Sequence, residues 1–163
     1  MDISAFSALV FFPLVLPLCV YVSFSDMRDM RIPNQIVVML FLVFAVLGLI
    51  ALPLDAYLWR YIHLLVVLIA GIALNAGGVM GAGDAKFAAA AAPFIHVGDL
   101  RFLMALFAAN ILAAYVAHRI GKHTGLRNIA PHWKSWTNPK FPMGLALGGT
   151  LALYLGLGIW FGR

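Results

Sequence analysis

The stretch AFSALVFFPLVLPLCVYVSF, residues 5–24, runs for twenty residues without a charge. A helix needs about 17–25 apolar residues to cross the hydrocarbon core of a bilayer. No water is available there to satisfy backbone N–H and C=O groups, so helices are the form such segments take. Five more apolar segments follow, at 36–54, 61–79, 85–97, 102–118 and 143–161. The fold class expected is therefore all-α, a polytopic membrane protein of about six transmembrane helices in one domain spanning 1–163. Composition agrees: the 163 residues are 64% hydrophobic and 10% charged, with a mean hydropathy of +0.98. Soluble domains run at roughly 45–50% apolar and about 25% charged.

The fourth segment is the exception. Its 13 residues can cross only if the preceding loop, GGVMGAGD, dips in to complete it. Irregular backbone at that depth is tolerated where it lines a polar cavity or is buried in protein, which directs attention to Asp84.

The basic residues sort by side. Arg28, Arg31, Lys86, Arg119, Lys122, Arg127, Lys134 and Lys140 fall in the odd-numbered loops; Arg60, Arg101 and Arg163 fall elsewhere. That excess places the odd loops in the cytoplasm and both termini outside. The net charge of +5 is then explained by orientation and by anionic lipid rather than by nucleic acid. The single cysteine, Cys19, allows neither an intrachain disulfide nor a paired-cysteine metal site. The histidines show no metal-like spacing. The loop at 119–141 is the one sizeable soluble segment, and its Trp133 and Trp136 read first as interfacial anchors.

All six acidic residues are aspartates. Asp26 follows the first segment and Asp84 precedes the fourth, so both face the same side. Alone, Asp84 reads as a helix N-cap and Asp26 as a solvated residue balanced by Arg28. Together they read differently. A charge at membrane depth costs about 2.5–3.5 kcal/mol even on the lenient insertion scale. Gly81 and Gly83 allow close backbone approach beside Asp84. Pro33 excludes helix at Ile32 and suits the first turn of the second span, and Asn34 can fix that turn through local backbone. Two adjacent carboxylates cannot both ionise easily; one activates water while the other donates a proton. The helix dipole favours Asp84 as base and Asp26, at the end of its helix, as acid; because the pair titrates as a unit, the assignment stays open.

At these residues the chain resembles the prepilin peptidases, polytopic aspartic proteases that process type IV pilin-like precursors. GAGDAK, Gly81 to Lys86, is similar to the family's Gly-x-Gly-Asp-x-Lys signature. Asp26 stands six residues ahead of Ile32-Pro33-Asn34, the spacing of the family's first aspartate. Pro142-Met143-Gly144 is similar to the family's Pro-aromatic-Gly segment, with methionine replacing the aromatic. The resemblance implies a leader-removing endopeptidase with Asp26 and Asp84 as the catalytic pair. Gly81, Gly83, Lys86, Ile32, Pro33, Asn34, Pro142 and Gly144 would shape the site, and no cofactor or metal is implied. The partner implied is a precursor with a short basic leader and an apolar helix, cut on the cytoplasmic side. Larger family members carry paired cysteines tied to N-methylation. This chain, with its short first loop, looks like the form associated with Flp (tight-adherence) pili in the bacterial cytoplasmic membrane. Archaeal preflagellin peptidases share the aspartate signatures. A non-enzymatic alternative is a transporter subunit or pilus scaffold whose aspartates relay protons, although those usually lie mid-span. Lys86 either snorkels to headgroups or steadies the site, and Asp29 is expected to pair with a nearby arginine. Oligomeric state is not legible.

Overall fold

A computed structural model describes the backbone of residues 1–163 and every side chain but that of Leu126. It contains six α-helices: α1 (Ala5–Asp29), α2 (Asn34–Ala51), α3 (Leu54–Ala76), α4 (Ala82–Ala91), α5 (Leu100–His123) and α6 (Met143–Phe161). Short 3-10 turns complete the connections, and no strand occurs among the described residues. Five helices, all but α4, are long and apolar enough to cross a membrane. Leu9, Val46, Ile50, Ile69 and Leu112 are each more than half exposed on them, which in a membrane protein is the lipid-facing surface. The helices run alternately up and down, and the termini meet at one end, where Arg163 N–H donates to the Ile3 carbonyl and Ala5 N–H to that of Arg163.

Helix α4 has ten residues, about 15 Å at 1.5 Å per residue. It starts three residues earlier than expected because Gly81, in extended conformation, is its N-cap. It gives way to a 3-10 turn at Ala92–Phe94, where Pro93 has no N–H to continue the ladder. Helix α1 likewise runs five residues beyond the expected end at 24. Met30, at φ 56° and ψ 40°, closes it and donates its N–H to the Asp26 carbonyl. Asp26 therefore lies inside the last turns of α1 rather than after it.

Helix α3 begins seven residues earlier than expected, directly after Pro53. Arg60 thereby leaves the loop assigned to it and is buried at 5% exposure. It donates to the carbonyls of Pro93 (3.1 Å) and Ile95, so an apparent loop charge instead caps the backbone that ends α4. Nearby, the Asp99 carboxylate accepts from the Asp2 and Ile3 N–H groups at 2.7 and 2.9 Å and from the Tyr154 hydroxyl at 2.8 Å. This buried cluster ties the N-terminus to α6 at the end where the termini meet.

The core is aromatic between α1, α2, α3 and the 3-10 turn: Phe11, Phe44 and Phe94 pack with ring centroids 4.9–5.9 Å apart. Helices α1 and α6 make the most extensive pair, with the glycines at 144, 148, 158 and 162 of α6 and its C-cap facing α1. A Cβ added at Gly148 would stand 2.7 Å from the Cys19 carbonyl oxygen, and one at Gly158 would stand 3.0 Å from the Ala8 Cβ. Small residues let the backbones approach in this way. Asn110 makes an interhelical bond, its amide donating to the Ala146 carbonyl at 2.8 Å; Asn75 bonds locally, to the Met80 carbonyl. Trp136 is not an interfacial anchor. It is buried at 5% exposure and stacks on His118 at 5.2 Å, with Trp133 stacked on it in turn at 5.8 Å. Helix α5 runs on to His123, so the loop expected at 119–141 starts only at Thr124, and this stacking folds it back onto the bundle.

Candidate active site

At the end opposite the termini, α1 delivers Asp26, α2 begins with Asn34, and α4 and α6 begin with the Gly81 and Pro142 turns. Helix N-termini carry backbone N–H groups with no intrahelical partner. Helix α6 has Pro142 at its N-cap, which supplies no side-chain cap. Asp26 of α1 fills that role: its Oδ2 accepts from the Gly144 N–H at 2.7 Å, and Asp26 is 6% exposed. The approach depends on glycine. A Cβ at 144 would stand 2.8 Å from the Asp26 Cβ and 3.0 Å from its Oδ2.

Asp84 is in the first turn of α4, three residues past the Gly81 N-cap, and not itself the cap. From that position a carboxylate reaches back toward the N-cap amide. A Cβ at Gly81 would fall 2.6 Å from Asp84 Oδ2, so the residue before the helix has to be small. The Asp84 pKa is raised to about 6, first by burial and next by the Asp26 charge, with the Gly81 amide pulling the other way. The two carboxylates thus feel one another across the bundle.

The two signatures, some fifty residues apart in sequence, touch. Gly83 packs on Ile32, with a Cβ at 83 standing 3.3 Å from the Ile32 Cβ. Lys86 Nζ donates to Asn34 Oδ1 at 3.1 Å. Lys86 thus ties the start of α4 to the start of α2 and does not pair with Asp84. Pro33 is the N-cap of α2, one position ahead of the first turn in which it was expected. Asp29 pairs with Arg28 at 2.7 Å in the open and stays out of the site.

The family model for the type IV leader peptidase family matches residues 13–118. The chain belongs to that family. It is accordingly a membrane peptidase acting on prepilin-like substrates. No curated protein and no solved structure matches it significantly. The matched segment holds both aspartates, the Ile32–Asn34 turn and the Gly81–Lys86 turn, but it ends before Pro142 and Gly144. In this leader peptidase the last helix enters the site through geometry: the Gly144 N–H is the donor that meets Asp26. The sequence offered only the Pro-x-Gly pattern as a sign of it.

A positioning role for the Lys86–Asn34 bond would have a measurable signature. Lys86→Met or Asn34→Ala should lower kcat for precursor cleavage by about tenfold with KM little changed, since misplacing a reacting group is felt mainly in the rate. The double variant should lose no more than either single one, as expected for partners in one contact. Additive losses in kcat would show that the two residues act separately.

Proposed function

We propose that this peptidase is an aspartic endopeptidase that removes the short basic leader of Flp-type prepilins at the cytoplasmic face of the membrane. One observation supports this most directly: the charge of Asp26, whose carboxylate rests on the N-terminus of α6, raises the pKa of Asp84 in the first turn of α4. The excess of basic residues in the loops at that end supports a cytoplasmic site. The missing paired cysteines and the short α1–α2 connection, Met30 to Pro33, support the Flp-type form.

The geometry favours the roles opposite to those that each aspartate's own helix suggests. Asp26 sits at the C-terminal end of α1, but its carboxylate rests on the N-terminus of α6, where dipole and N–H both stabilise an anion. Asp84, at about 6, is the partner that keeps a proton. In this reading Asp26 takes a proton from water as the water oxygen bonds to the scissile carbonyl carbon. Asp84 gives its proton to that carbonyl's oxygen, forming a gem-diol. As the diol collapses, the C–N bond breaks, the leaving amine takes the proton held by Asp26, and Asp84 recovers one from the diol hydroxyl.

Purified chain in liposomes, supplied with a panel of Flp-type precursors and read by mass spectrometry with and without a metal chelator, tests the activity. The pH profile tests the roles. A raised Asp84 pKa keeps the acid protonated up to about 6, so kcat/KM should fall as pH rises through a limb at or above about 6, tenfold per unit. A surrounding bilayer adds to burial and moves that limb up, not down. If kcat/KM instead climbs through that range, Asp84 is the base.

A further inference from the structure

A groove of about 430 Å³ opens beside the short helix α4. Val66 of α3 lines one wall and Met104 of α5 the other; Ala88 and Ala91 of α4 form the floor, and Phe87 and Leu147 lie at the end toward the aspartates. We propose, building on the function proposed above, that this groove seats the substrate's own apolar helix.

Three observations single out that occupant. Helix α4 covers about 15 Å, so the bundle lacks a full-length helix between α3 and α5, and apart from His63 and Thr150 the slot is lined by apolar side chains. The floor is alanine, over which a helix backbone can pack closely. The slot also runs toward the carboxylates and stops about one helical turn short of them: neither aspartate lines it, but Phe87 lies three residues from Asp84 on α4, and Leu147 three residues from Gly144 on α6. Residues three apart share a helix face. A helix in the groove would thus hand its extended end to the space between Asp84 and Asp26. A lipid acyl chain fits the slot, but nothing about it requires the slot to lead to the reacting groups. A helix continuous with the scissile peptide does require it.

Two synthetic precursors separate this proposal from the function on which it rests. Both carry a basic leader ending in glycine; one continues into a Leu/Ala helix of about 20 residues, and the other stops four residues after the cleavage site. Val66 and Met104 are 58% and 61% exposed, so Val66→Trp and Met104→Trp fill the groove without disturbing the core. Each should lower kcat/KM for the helix-bearing precursor about tenfold relative to the truncated one. Leu58→Trp and Leu112→Trp, equally exposed on α3 and α5 but outside the groove, should leave that ratio at its wild-type value. A p-benzoylphenylalanine at position 104, in an Asp84→Asn background, should cross-link to the helix-bearing precursor. An unchanged ratio in the groove variants, or a cross-link to lipid or to a second copy of the chain, overturns the proposal even while the wild type still cuts both precursors. A wild type that cuts neither precursor overturns both readings.

Discussion

Asp26→Asn and Asp84→Asn should each lower kcat/KM for precursor cleavage by about 10²–10⁴-fold, the size of a lost general base or acid. The amide replacements keep the shape of each carboxylate. In Asp26→Asn the amide still offers an oxygen to the Gly144 N–H, so the α1–α6 contact survives and the loss is one of chemistry. Asp84→Asn removes the group whose proton the Asp26 charge helps to hold, so the alkaline limb of any residual activity should vanish with it. Asp99→Asn is the informative contrast. Asp99 is also buried, but its carboxylate is fully used by Asp2, Ile3 and Tyr154 at the far end of the bundle. That variant should melt earlier and yet cut at the wild-type rate per folded molecule. Cleavage measured by mass spectrometry on matched amounts of folded protein decides between these outcomes. If Asp84→Asn cuts at the wild-type rate, its carboxylate serves only the Gly81 amide at the start of α4.

Which of these features could be read from the sequence follows from how local each one is. The α6 boundaries, the shortness of the fourth segment and the Arg28–Asp29 pair depend on neighbouring residues and were legible. The start of α3 was not. Leu54 to Arg60 mixes Asp, Trp, Tyr and Arg in a pattern of low hydropathy, and Arg60 becomes admissible in a helix only because the carbonyls of Pro93 and Ile95 accept from it across the bundle. Trp136 was misplaced for the same reason: its partner, His118, lies on another element. The aspartates stood out in the sequence by their flanking turns, Gly81–Gly83 and Ile32–Asn34. Their relation to α6 was hidden, because a helix dipole read along the chain includes only the helix an aspartate belongs to. For Asp26 the decisive helix is one whose N-terminus lies 118 residues away in sequence.

That long-range contact carries the second large effect. Gly144→Ala should reduce kcat about 100-fold, the cost of shifting a reacting group by about an ångström. The added methyl would stand 2.8 Å from the Asp26 Cβ and 3.0 Å from its Oδ2. Neither neighbour is the free end of a flexible chain: Asp26 is fixed in α1, and its carboxylate is held by the very N–H that the substitution displaces. Either the two helices part or the carboxylate turns away, and both lose the bond that favours the Asp26 anion. Overpacking itself costs about 1–3 kcal/mol of stability, so loss of activity alone is ambiguous. Gly148→Ala resolves it. One turn further along α6, its methyl would meet the Cys19 carbonyl at 2.7 Å, a collision as severe but with backbone that takes no part in the chemistry. Both variants should lower the melting temperature in detergent, whereas only Gly144→Ala should also shift the acid limb of the pH–rate profile upward. That limb reports ionisation of the base, and without its N–H donor Asp26 gives up its proton at higher pH. A Gly148→Ala variant with the same shift would mean that the whole α1–α6 seam, and not the Gly144 amide, sets the Asp26 charge.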